Sequence, residues 1–83
     1  MLLIMEKNHS INKKLLKKIG INIKYRRSHA NISQETLALD IGVERSYITS
    51  IELGDKSPSI YCLYLIAKRL GTTLKDLLDI NID

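Results

Sequence analysis

Residues 34–53 read QETLALDIGVERSYITSIEL. Two short helical patterns, 34–41 and 44–53, meet at a single glycine, Gly42. Gly42 stands just past the first pattern, where a positive φ is common and a side chain is costly. Leu37, Ala38 and Ile41 form the inward stripe of the first pattern. Small or β-branched residues stand where two helices must cross closely, Ala38 before the turn and Ile48 and Ile51 after it. Ser33 precedes the first pattern as its N-cap, its hydroxyl accepting from an orphan N–H. Thr36, not Glu, is three residues on, so the reciprocal half of a capping box is missing. Helix, tight turn and helix at this spacing make a helix-turn-helix, in which the first helix braces the second.

The second helix divides cleanly when its residues are placed at about 100° each. Ile48 and Ile51 mark the buried side. Arg45, Ser46, Thr49, Ser50 and Leu53 occupy the opposite arc. All but Leu53 can hydrogen-bond and none is acidic, which suits a helix presented to a polar, anionic groove. Glu44 falls in the first turn, where a carboxylate suits the helix dipole but is a poor neighbour for phosphate.

Upstream, helical periodicity begins after Ser10, a candidate N-cap, and runs to about Ser28. Leu15, Leu16, Ile19 and Ile23 are its apolar stripe, and Lys13, Lys14, Lys17, Lys18 and Lys24 line the remainder. Gly20 either weakens this helix, by about 1 kcal/mol relative to Ala, or marks a close approach to another helix. Residues 1–10, with the apolar run 2–5, form an arm outside the periodic pattern. It either packs on a partner, covers the core or moves freely. Downstream, Gly54 ends the second helix of the motif and residues 55–58 form a loop. Ser59 caps a fourth helix, with Ser57 capping and Pro58 at the first helical position as the alternative. Ile60, Leu63, Ile66, Ala67 and Leu70 are its expected buried stripe, closed by Gly71. Thr73 with Asp76 makes a capping pair for a short fifth helix carrying Leu74, Leu77 and Leu78. The expectation is an all-α domain of five helices over residues 11–83, with no repeat and no linker long enough for a second domain.

Composition agrees. Eighty-three residues make one domain, near the lower end of what a single core supports. Apolar residues are 45% of the chain with no Trp or Phe, so Leu, Ile, Val and Ala must build the core. One proline and four glycines leave little room for the turns of an all-β fold. The lone Cys62 forms no internal disulfide, and no Cys/His cluster has metal-ligand spacing. His9 and His29 are single, with no partnered nucleophile, and no glycine-rich loop cradles a phosphate. No enzyme activity, metal, cofactor or small-molecule ligand is expected. The start MLLIM is too short for a membrane span and lacks the basic region of a secretory signal, so a cytoplasmic protein without a membrane partner is expected. Charge is lopsided: residues 1–34 hold eight Lys/Arg against one acid, and residues 35–83 hold five against eight. Either the first helix lies near a polyanion or its basic face simply keeps the protein soluble.

The combination of IGINIKYRR in the first helix, ISQETLA, DIGVERSYITSIELG and PSIYCLYLIAKRLGTTLKDLL resembles the lambda-repressor-like, Cro-type (XRE) helix-turn-helix family, from about Leu15 to Leu78. Within it, RSYITSIE is similar to the controller proteins of restriction–modification systems. The resemblance implies a sequence-specific regulator of transcription that binds double-stranded DNA. Arg45 and Ser46 match its base-reading positions, with Thr49 and Ser50 one turn further in. Arg45 would address guanine, worth about 1–3 kcal/mol of discrimination, while hydroxyls serve either bases or phosphates. Gln34 matches a phosphate-binding residue that also packs beside the reading helix, the alternative being a solvated first-turn glutamine. Lys56 and Ser57 match backbone contacts or form a solvated turn. Tyr47 sits at the edge of the buried side, with its hydroxyl on a phosphate or its ring wedged against the bracing helix. Arg27 and Glu52 match a structural ion pair joining the first helix to the third, with Arg27 near the backbone. Glu44 departs from the Ser or Thr that the family often has there.

The fourth helix carries more apolar surface than one stripe needs, in Tyr61, Cys62, Tyr64 and Leu65. A two-fold homodimer through the fourth and fifth helices is therefore expected, using Tyr61, Tyr64, Leu65, Leu77, Ile80 and Ile82. The alternative is that these residues complete the monomer core. A second reading of the chain is an antitoxin-type or phage-repressor-type protein that also binds a protein partner.

Overall fold

The structure, a computed structural model, describes the backbone of residues 2–81 and the side chains of residues 12–81. Five helices follow one another: α1 (Leu2–His29), α2 (Gln34–Ile41), α3 (Arg45–Leu53), α4 (Ile60–Arg69) and α5 (Leu74–Leu77). Among the described residues there is no strand. Ile19 and Ile23 of α1, Leu37 and Ala38 of α2, Ile48 and Ile51 of α3, Cys62, Leu63, Ile66 and Ala67 of α4, and Leu77 of α5 form one core. Each helix thus contributes an apolar stripe, as the 3.6-residue period requires.

Local chemistry sets the boundaries. Ser33, Ser59 and Thr73 each accept from the backbone N–H three residues on, those of Thr36, Cys62 and Asp76. That resolves the alternative at the fourth helix in favour of Ser59. Glu44 precedes α3 without a side-chain cap bond. The turn into α3 is closed by Gly42 at φ 78°, whose N–H reaches Leu39 O while that of Val43 reaches Ala38 O. This pair of bonds satisfies the last carbonyls of α2 and requires a left-handed residue at its apex.

The expectation fails at the start of α1. The backbone is helical from Leu2, so Ser10 lies inside the helix and does not begin it. No Pro or Gly occurs between residues 2 and 19, and Leu, Met, Glu and Lys are good helix formers that a cap-favouring serine does not interrupt. A second correction concerns α4. Ile60 is 66% exposed and lies outside the buried stripe, whereas Cys62 is inside it.

Polar ties fix α1 to the C-terminal segment. Asn22 donates to the Leu77 carbonyl at 2.7 Å, and Arg26 donates to Asn22 Oδ1 at 3.1 Å and Thr72 Oγ1 at 2.9 Å. Lys18 donates to the carbonyl of Asn81. Arg69 of α4 pairs with Asp40 of α2 at the surface, where such a pair contributes little.

Candidate nucleic-acid interface

Two glycines set where α3 can lie. A Cβ on Gly20 would stand 2.5 Å from the carbonyl oxygens of both Ile51 and Glu52. The two helices therefore touch backbone to backbone, and the close approach is the correct one of the two readings of Gly20. On the other side of the crossing, a Cβ on Gly54 would stand 2.8 Å from Lys17 Cα. Gly54 also has φ 78°, so its missing side chain serves the turn and the contact together.

The crossing buries a carboxylate. Glu52 is 6% exposed, and a charge there needs full partnering. Arg27 Nε donates to Oε2 at 2.6 Å and Nη2 to Oε1 at 3.0 Å, a bidentate pair. Gln34 Nε2 donates to the same Oε1 at 3.0 Å. Arg27 Nη1 donates to the Ile32 carbonyl at 2.8 Å, tying in the turn before α2. The hydrogen bond to Glu52 and the charge of Glu52 raise the Arg27 pKa above its ordinary value against the opposing effect of burial. The network then continues outward, for Thr49 Oγ1 donates to Gln34 Oε1 at 2.9 Å and lies 3.2 Å from the Arg45 carbonyl. Four side chains from three helices thus fix the rotation of α3 about its own axis.

The arc expected to face outward does so. Arg45 and Ser46 are exposed, Thr49 and Ser50 are half-buried, and Leu53 is exposed at 60%. Lys56 and Ser57 are exposed in the loop after α3. Gln34 is half-buried, and its amide joins Glu52 to Thr49, so it is not a free solvated side chain. Sequence reasoning paired Arg27 with Glu52 but missed the Gln34–Thr49 bond, because residues fifteen apart on two helices carry no periodic signal of contact.

Tyr47 is half-buried and packs against the core. Its hydroxyl lies against the Cys62 thiol and the Ser59 backbone, and burial, more than the neighbouring thiol, raises its pKa. The hydroxyl is thus directed at α4, while the ring packs on the core that α2, α3 and α4 share. Burial likewise raises the Cys62 thiol, which marks it as a packed residue rather than a reactive one.

The expected dimer face splits into three kinds of residue. Tyr61 and Tyr64 are exposed at 70% and 48%, beside exposed Ile60. Leu65 and Ile80 are half-buried, and Ile82 lies outside the described residues. Leu77 is a correction: it is fully buried in the monomer. In the single turn of α5, Leu77 is the residue that points fully into the core, with Leu74 and Leu78 packed partly buried beside it.

Known proteins share this sequence pattern and fold. The helix-turn-helix family (HTH_3) matches residues 23–77. Control protein C.BamHI of Bacillus amyloliquefaciens is 44% identical over 54 residues, covering 65% of this chain and 67% of the relative. Control protein C.MunI of Mycoplasma sp. is 39% identical over 54 residues, covering 65% and 73%. The crystal structure of the restriction–modification controller protein C.AhdI from Aeromonas hydrophila superposes with a TM-score of 0.72 at 32% identity, covering 75% of this chain and 94% of that one. The chain belongs to the helix-turn-helix (HTH_3, XRE-type) family of DNA-binding transcription regulators.

Proposed function

We propose that this regulator is the controller protein of a restriction–modification system and acts as a homodimer on a two-fold operator. The observation that carries the DNA-reading geometry is the clamp around Glu52, which turns the hydrogen-bonding arc of α3 away from the core. Similarity to control proteins supports the finer assignment.

In this reading Arg45 and Ser46 meet base edges first, since they are the most exposed residues of the reading helix with polar ends. Arg45 would bond guanine O6 and N7 in the major groove. Ser50 follows one turn later. The single hydrogen of the Thr49 hydroxyl has its acceptors within the protein, Gln34 Oε1 and the Arg45 carbonyl, so toward DNA Thr49 offers a methyl group and lone pairs, contacts suited to a thymine methyl or a base amino group. Gln34 spends one amide hydrogen on Glu52 and has its second for a phosphate. Lys56 and Ser57 seat the following backbone. Three of the five N–H groups of Arg27 are committed, which makes it chiefly a brace. Tyr61 and Tyr64, with Ile60, supply the dimer face, and a two-fold dimer would place its reading helices about 34 Å apart on successive turns of DNA.

Footprinting on DNA upstream of the protein's own reading frame, in parallel with sedimentation at micromolar concentration, tests the proposal. The expected result is two symmetric protected half-sites and a dimer. A monomer throughout, or uniform protection without preference, would contradict it. The exposed α4 face also keeps a protein partner in view as a second reading, and a stable dimer that hides Tyr61 and Tyr64 from modification would exclude it.

A further inference from the structure

Lys13, Lys17, Gly20 and Lys24 recur at i, i+4, i+7 and i+11 along α1, and so share one face of that helix. Its direction is set by two contacts with the end of the reading helix. Gly20 meets the carbonyls of Ile51 and Glu52, and Gly54 lies against the backbone and Cγ of Lys17. The row of lysines therefore runs past the C-terminal end of α3, beside the loop that carries Lys56. Lys13, Lys17, Lys24 and Lys56 are all exposed, and among the described residues none is ion-paired. Residues 2–22 of α1 also precede the span matched by the family.

We propose that the lysine row of α1 is a second DNA-backbone surface, in which Lys13 and Lys17 hold phosphates flanking the bases that α3 reads. The inference rests on the DNA-binding reading above. The chemistry favours duplex DNA over an acidic protein because Lys17 packs against Gly54, two residues before Lys56, which that reading already places on the backbone. Lys13 lies four residues, about 6 Å of helix rise, beyond Lys17, so the two ammonium groups meet successive parts of one strand. Such contacts carry no sequence information; they add affinity by releasing counterions.

The experiment uses the full chain and a duplex selected by the wild-type protein from a random pool. That duplex is made in two forms, trimmed to the protected core and extended by about ten base pairs of arbitrary sequence, one helical turn, at each side. Wild-type protein is expected to bind the extended form about tenfold or more tightly. K13A/K17A should lose that gain and lower the slope of log affinity against log salt by about one for each lysine per bound protomer. Its ranking of core sequences should be unchanged, and K13R/K17R should restore the gain. Equal binding of both duplexes by the wild type, or unaltered affinity and slope in K13A/K17A, would overturn the inference while leaving the DNA-binding reading intact. Failure of the wild type to select any duplex would sink both.

Discussion

Replacing Glu52 by Ala should expose how strongly the fold depends on one buried clamp. The Glu52 side chain is 2% exposed and that of Arg27 11%, so neither charge is hydrated well enough to stand alone. In Glu52→Ala the guanidinium keeps only its bond to Ile32 O, and Gln34 loses the acceptor for its amide. Leaving one partner of such a pair uncompensated costs about 3–5 kcal/mol, a large part of the roughly 5–15 kcal/mol that holds a domain together. For a chain of this size that corresponds to a fall in Tm of roughly 12–40 °C. Urea unfolding followed by far-ultraviolet circular dichroism gives the free energy directly. The same measurement on Arg27→Met and on the double variant Arg27→Met/Glu52→Leu completes a cycle. The double variant should recover most of the loss, because no charge then remains buried. A loss below about 1 kcal/mol, the value of a surface pair, would refute the reasoning, as would losses that simply add in the double variant.

Gly20→Ala should destabilise the fold by about 1–3 kcal/mol or more on the scale of core overpacking, because the atoms it would strike all belong to the α3 backbone; a neutral result in thermal melts would show that the helices part easily. The Tyr47 hydroxyl and Cys62 thiol are held above their ordinary pKa values of 10.0 and 9.0, chiefly by burial. Both groups are neutral when protonated, so the folded state holds their protons longer than the unfolded chain. Stability should be full below the ordinary thiol value and should decline as pH rises through it, seen as a lower urea midpoint at pH 10 than at pH 7; equal midpoints would contradict the burial of the pair. If the proposed homodimer forms through α4, Tyr61→Asp with Tyr64→Asp should leave a monomer in sedimentation without changing the helical signal, and an unchanged dimer would move the interface elsewhere. Thr49→Val keeps the methyl group but frees the Gln34 carbonyl oxygen, and should weaken binding to the selected duplex several-fold; unchanged affinity would show that the Gln34–Thr49 bond does not hold the reading helix.

Most of the architecture was legible because its signals are local. Ser33, Ser59 and Thr73 bond backbone groups three residues away, and a cap of that kind is written in a few consecutive residues. The presented arc of α3 was legible from its angular period alone. Ile60 was misread because the period gives direction around a helix but not whether a neighbour stands at that height. As the first residue of α4 it has the right direction and no cover, while Cys62 takes the buried place against Tyr47. Leu77 was misread for the opposite reason: an apolar residue near the C-terminus looks spare until the core is seen to close on it. Ser10 stands between runs rich in Leu, Glu and Lys, with no Pro or Gly near it, and there a good cap residue is simply passed over. The Gln34–Thr49 bond and the facing of Lys17 toward Gly54 depend on how helices cross, which pairwise spacing does not record.

The central claim is that the locked arc of α3 reads sequence, and selection of bound fragments from a random DNA pool tests it most directly when run on the wild type and on Arg45→Ala together. The wild type should yield a two-fold symmetric site, with half-sites about one helical turn apart. Arg45→Ala should lose preference at one position in each half-site, by about 1–3 kcal/mol, and keep the rest. Recovery of the same preferences by both proteins, or of none by the wild type, would contradict it.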